Sequence, residues 1–202
     1  MTAKKFDNNF RIPSSRAQWH NYNGGMYFVT ICTQNRKHYF GEIINGGCRD
    51  VPWNVSTGNE PKMKLSKIGK HLQAQLKTVG KHYSYAEIPL WVIMPNHIHV
   101  IIIIDHDKIP YELRNVEDTP HQKSLQQTLN KIQIATRKQS WLSVIVRQLK
   151  QSVTCFAKRN NISFAWQARF HDHIIRNSNE MNIIAKYIEE NIAKWAEDRY
   201  YN

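Results

Sequence analysis

Apolar positions along the chain switch repeatedly between the two-residue period of a strand and the 3.6-residue period of a helix. The first clear element is "MYFVTIC", rich in β-branched and aromatic residues, which predicts a strand over about 27–33. The turn-rich stretch after it, "HYFGEIINGGCRDVPWNVSTGNEP", has room for a short hairpin. Leu65, Ile68, His71, Leu72, Leu76 and Val79 then recur at helical spacing with lysines opposite, so a helix is expected to begin near Ser66. "AEIPLWVIMPNHIHVIIIID" reads as two strands, over about 88–94 and 98–104, joined by a turn at Pro95 and Asn96. A second long helix is expected over about 139–160, its stripe made of Leu142, Ile145, Val146, Leu149, Val153 and Phe156. "FAWQARFHDHIIR" supplies a loop and a last strand, and a final helix spans about 179–195.

Strand, helix, strand, strand, helix, strand is the order of a split β-α-β, ferredoxin-like antiparallel sheet with both helices on one face. The fold class is therefore α+β, with an extra C-terminal helix. In such a sheet the outer strands of the motif lie in the middle or beside one another, and the open face is accessible to a long ligand. Residues 1–25 read as a basic arm ending in a Gly-Gly turn, and 26–202 as a single domain. Residues 106–138 are polar, charged and without period, which marks an insertion longer than an ordinary loop.

Charge changes the picture. Lys and Arg number 28 against 16 Asp and Glu, a formal net charge of +12. A nucleic-acid partner is the common cause of such an excess, although composition alone does not separate DNA from RNA. Cys32, Cys48 and Cys155 lack CxxC spacing, which argues against a disulfide scaffold or a zinc knuckle and fits a reducing cytoplasm. The N-terminal residues carry no apolar signal segment, and no apolar run has the length of a membrane span. A cytoplasmic protein is expected.

The candidate chemistry starts from "MPNHIHVIIII". Alternation points His97 and His99 to one face of their strand and Ile98 and Val100 to the other. Two imidazoles on one face make half of a metal site. On the last helix, Met181, Ile184, Ile188, Ile192 and Trp195 form the core stripe, and Tyr187 and Asn191 stand one turn apart at its edge, able to reach the sheet. Taken alone, such a tyrosine is most often a packing residue.

The His-hydrophobe-His strand and the Tyr-x-x-x-Asn helix resemble the active site of the single-tyrosine HUH transposases. More closely, the chain resembles the REP-associated tyrosine transposases of bacteria, in "NNFRIPSSR", "YFVTICTQNRKHYFGEI", "WVIMPNHIHVIIII", "FAWQARFHDHIIRN" and "KYIEEN". The resemblance implies a ferredoxin-like nuclease that nicks and rejoins single-stranded DNA at hairpins. It implies Tyr187 as nucleophile, forming a 5′-phosphotyrosine, and His97, His99 and Asn191 as ligands of a divalent metal. Magnesium is what the family implies, while imidazole ligands suit manganese as well or better. Where members commonly read "YIxxNPxKW", this chain has Ile192 in place of the proline, which is expected to lengthen the helix and leave the ligand in place. Members occur as monomers and dimers, so a homodimer with Tyr187 of one subunit against the histidines of another stays open.

A phenol ordinarily ionises near pH 10, so Tyr187 needs activation, by the metal and by cations such as Lys186 or Lys194. Arg11, Arg16, Arg36, Arg147 and Lys150 join these two lysines as candidate DNA-binding cations, each weighed against simple solvation. His171 and His173 form a second His-x-His, read as a strand end, and Tyr200 and Tyr201 lack a partner at helical spacing. Two rival readings stand beside the nuclease. One is a non-catalytic module binding single-stranded DNA or RNA hairpins with a vestigial metal site. The other is a histidine-triad hydrolase, which would want a third histidine where this chain has Ile101.

Overall fold

The computed structural model describes residues 5–6, 9–10, 20, 22, 24–44, 61–110 and 140–201. Most of the basic arm, with Arg11 and Arg16, and most of the 106–138 insertion lie outside the described residues. Two short strands, β1 (Lys5–Phe6) and β2 (Asn9–Phe10), pair with each other. The main sheet is built from β3 (Gly25–Cys32), β6 (Ala86–Ile93), β7 (His97–Ile104) and β8 (His171–Ile175), in the order β6-β7-β3-β8, all antiparallel. Between β3 and the first helix, β4 (Gly41–Ile44) pairs antiparallel with β5 (Lys62–Leu65); β4 lies in the turn-rich stretch expected to hold a hairpin, and β5 begins just past its end.

Each helix begins where a side chain satisfies an otherwise orphaned backbone N–H. Ser66 Oγ accepts from Gly69 N at the start of α1 (Lys67–His82), and Ser140 Oγ accepts from Ser143 N ahead of α2 (Trp141–Arg159). Asn177 Oδ1 accepts from Glu180 N before α3 (Ser178–Glu190). Gly69 is required for a different reason: a Cβ there would stand 2.2 Å from the Phe40 carbonyl oxygen, so α1 can lie this close to the chain only without a side chain. Pro89, which has no N–H to give, sits on the edge strand β6 at a register shift between Glu87 and Leu90.

Strand alternation sorts the sheet into two faces. Tyr27, Val29 and Ile31 of β3 and Ile98, Val100, Ile102 and Ile104 of β7 pack against α1 and α2 in the larger core. The opposite face carries Met26 and Phe28 together with Val92, Met94 and Ile101, and α3 covers part of it through Met181, Ile184 and Ile188. The ferredoxin-like order and the stripe on the last helix are as the periodicity implies, and the outer strands β3 and β8 are neighbours.

One boundary differs. The last helix ends at Glu190, well short of Trp195, even though Ile192 takes the place of a proline. Asn191 is the cap residue, still in helical conformation at φ −61 and ψ −39, so Tyr187 and Asn191 keep their one-turn relation. From there the bonding is mixed: Asn191 N to Ile188 O and Trp195 N to Ile192 O have three-residue spacing, both at 3.4 Å, while Lys194 N still reaches Glu190 O at 3.1 Å. The tightened turn seats Trp195 in the second core. The helix ends without a proline.

Candidate active site

The turn between β6 and β7 sets the site. Its backbone is tied to the end of β3, where Thr33 donates to the Asn96 carbonyl from both N and Oγ1, each at 2.9 Å. His97 and His99 follow on the α3 face of β7, almost wholly shielded from solvent. Their outer nitrogens are held: Asn96 Oδ1 lies 2.8 Å from His97 Nδ1, and Thr30 Oγ1 lies 2.8 Å from His99 Nδ1. The Asn96 amide nitrogen donates to the Tyr200 carbonyl at 2.8 Å, which leaves its oxygen to accept. His97 therefore carries its proton on Nδ1 and presents a bare Nε2.

That Nε2 faces His99 Nε2 at 3.0 Å, and Tyr187 Oη lies 3.2 Å from the same His99 nitrogen. A proton on His99 Nε2 would bridge the pair; a cation would take both lone pairs. Burial, first, and the Arg199 charge hold both rings neutral, with pKa values pushed down to about 2 for His97 and about 3 for His99. For His97 the neighbouring His99 ring comes second after burial, and Arg36 adds to Arg199. Neutral imidazoles are the form a metal needs.

The donors fit a divalent metal. Ligands at right angles, each about 2.1 Å from a cation, stand about 3 Å apart, as the two Nε2 atoms do. Asp198 completes a cluster with His97 and His99 in which the three ligand atoms lie within 4.8 Å of one another. Asn191 Oδ1 is buried and has no hydrogen-bond partner among the described residues, an arrangement that costs free energy unless something accepts its lone pairs. The donor set expected from the sequence, two imidazoles and an amide, thus gains a carboxylate and with it a negative charge.

Asp198 belongs to a C-terminal tail that folds back over the histidines. The Tyr200 ring centre lies 4.5 Å from that of His97, and the guanidinium carbons of Arg36 and Arg199 lie 5.1 and 4.6 Å from the centre of the Tyr200 ring. Arg36 Nη1 donates to the Arg199 carbonyl at 2.6 Å. Tyr187, 42% exposed, keeps a face to solvent. Burial and the Asp198 charge raise the Tyr187 pKa, while a hydrogen bond of the Asn191 side chain and the Arg199 charge pull it back.

The sequence-derived candidates separate. His97, His99, Tyr187 and Asn191, from β7 and α3, come together within one chain. Arg36 lies at the tail beside them. Lys194 borders a neighbouring cavity of about 290 Å³ with Tyr187 and Asn191, but its ammonium pairs with Glu190 at 2.7 Å. Lys186 is exposed at 3.8 Å from the same carboxylate. The Arg199 charge lowers the Tyr187 pKa, against the raising effect of burial. Lys150 spends its ammonium on the carbonyls of Gln167 and Arg169, at 2.8 and 2.5 Å. Arg147 is exposed on α2, which packs on the opposite face of the sheet from the histidines.

Thr30, Asn96, Asp198 and Arg199 lie at the candidate site and are not among the candidates that the sequence supplies. Thr30 had a readable signal, as a polar residue inside the apolar run "YFVTIC"; the tail residues show no periodicity to read.

No family model matches the chain. An uncharacterized protein of Haemophilus influenzae is 32% identical over 195 residues, covering 93% of this chain and 92% of that protein. Among solved structures, a REP-associated tyrosine transposase bound to a REP hairpin aligns with a TM-score of 0.51 at 18% identity, over 92% of this chain and 77% of the other. The chain belongs to one family with the Haemophilus influenzae protein, and its fold is that of the REP-associated tyrosine transposases.

Proposed function

We propose that this protein is a metal-dependent transposase-type nuclease that nicks and rejoins single-stranded DNA at hairpins, with Tyr187 as the nucleophile. The observation that carries this reading is the meeting of Tyr187 Oη with a pair of neutral imidazoles, 3.2 Å from His99 Nε2, across 88 residues of sequence. The structural likeness to a transposase bound to a REP hairpin supports a DNA hairpin as the ligand. No helix of the described residues is long and apolar enough to cross a membrane.

In the reaction, Tyr187 Oη forms a bond to the scissile phosphorus as the bond from phosphorus to the 3′ oxygen breaks. The phenol gives up its proton, and the leaving oxygen takes one to become a 3′-hydroxyl. The product is a phosphotyrosine diester on the 5′ side, and attack by a 3′-hydroxyl reverses the step without an external energy source. His97, His99, Asn191 and Asp198 would hold a divalent ion, magnesium or manganese, whose role when bound is that of a Lewis acid toward a non-bridging phosphate oxygen. Asn96 and Thr30 fix the ring orientations of the two histidines. Arg199 favours the ionised phenol.

The test is a nicking assay on labelled single-stranded hairpins copied from the repeats flanking the gene, with magnesium or manganese and a Tyr187→Phe control. A protein-linked DNA band that requires metal and disappears in the variant is the expected result. Binding without a covalent band, across metals and substrates, would leave the non-catalytic module as the answer.

A further inference from the structure

Beside α3 the same face of the sheet stays open where β3 meets β8. There Thr30 pairs with His171 and Phe28 with His173, so four side chains in register form a floor. Above it lies a cavity of about 430 Å³, walled at one side by Arg36 and Arg199. Asp172 also borders the cavity, but it pairs with Val29 and its side chain alternates to the other face. The Glu180 carboxylate near this floor is taken up by His173 Nε2 at 2.6 Å and by Arg176 N at 2.8 Å.

The floor is continuous with the proposed nucleophile. The Phe28 ring stacks on His99 with centres 5.2 Å apart and meets Tyr187 edge-on at 6.0 Å. A strand whose phosphate reaches Tyr187 must place its neighbouring nucleotide somewhere, and this cavity adjoins that position. Its volume lies in the range of small-ligand clefts. An aromatic ring and imidazoles below, with two guanidinium groups at the side, is the combination that holds unpaired nucleotides: bases have a π-face to stack, and the backbone has charge to neutralise.

We infer that this groove is a nucleotide subsite, in which the base adjoining the reacting phosphate stacks on Phe28 and the strand's phosphate faces Arg36 and Arg199. The inference rests on the nuclease reading for its choice of ligand, but it concerns binding and needs no metal. Base stacking on a single aromatic residue is worth roughly five- to a hundredfold in affinity.

The test is a binding cycle in EDTA by fluorescence anisotropy. The probes are single-stranded hairpin oligonucleotides from the gene's flanking repeats, intact or with one abasic position moved stepwise along the unpaired flank. The proteins are wild type, Phe28→Leu, which keeps apolar volume without a ring, and Phe28→Tyr, which keeps the ring. At one position, base removal is expected to weaken wild type and Phe28→Tyr by roughly five- to a hundredfold and to leave Phe28→Leu unchanged. A loss of the same size in Phe28→Leu as in wild type at every position, or no binding of any probe by wild type, overturns the subsite. The nicking assay is read separately. A Tyr187-dependent covalent band without base coupling at Phe28 rejects the subsite alone, and base coupling without a covalent band upholds the subsite while rejecting the nuclease.

Discussion

Asn96 offers the sharpest test of how the site is held. Its side chain is buried at 1% exposure and joins two elements, accepting from His97 Nδ1 and donating to the Tyr200 carbonyl, both at 2.8 Å. In Asn96→Ala the backbone carbonyl still receives Thr33, but a buried donor and a buried acceptor lose their partners. Each stranded group costs about 1–3 kcal/mol, so the substitution is expected to destabilise the fold by about 2–6 kcal/mol. For a chain of this size that lowers the melting temperature by roughly 2–4 °C per kcal/mol. The loss of an orienting partner also frees the His97 tautomer, and metal affinity should fall about 10–100-fold. Asn96→Asp separates the two effects: it keeps an acceptor for His97 and so keeps metal binding, while it loses the donor to the tail. Thermal unfolding in EDTA reads the first effect, and calorimetric titration with manganese reads the second. An Asn96→Ala protein that melts with wild type and binds manganese as tightly would refute both the tautomer assignment and the role of this residue as the clasp of the tail.

The buried histidines also set an acid limit to stability. Their pKa values are depressed in the folded protein, so only the unfolded chain takes up protons just below pH 6.5. Stability should be full above about pH 6.5 and fall as pH drops toward the folded values, by up to about 1.4 kcal/mol per pH unit for each histidine; His71, lowered by burial, acts in the same direction. Urea midpoints between pH 7.5 and 5 would check this, and a flat profile across that interval would count against it. Gly69→Ala should destabilise despite alanine's better helix propensity, because the new Cβ would meet the Phe40 carbonyl oxygen at 2.2 Å. A loss of about 1–3 kcal/mol is expected in urea unfolding, and a gain would mean that α1 yields freely.

Much of this architecture is carried by local rules that a reader of the sequence can apply. The parity of a strand puts His97 and His99 on one face whatever the rest of the chain does. Helical period puts Tyr187 and Asn191 one turn apart, and Ser66 marks its helix start because a serine hydroxyl satisfies a free N–H there. These constraints act within a few residues, and so they are legible. The extent of the last helix was not: the stripe of Ile188, Ile192 and Trp195 is buried as the period implies, yet regular helix stops at Glu190, and an apolar period does not mark where the backbone bonding changes. The rest of the site is assembled across long separations. Thr30 reaches His99 over 69 residues, and Asn96 reaches the Tyr200 carbonyl over 104. Asp198 and Arg199 sit on a tail with no repeating pattern, brought to the histidines by the ring contacts of Tyr200 and its bond to Asn96. The sequence by itself determined which side chains could share a face. Which faces meet, and which groups then find partners, was decided only when the sheet, α3 and the tail closed together, because burial and hydrogen bonding depend on every surface that arrives.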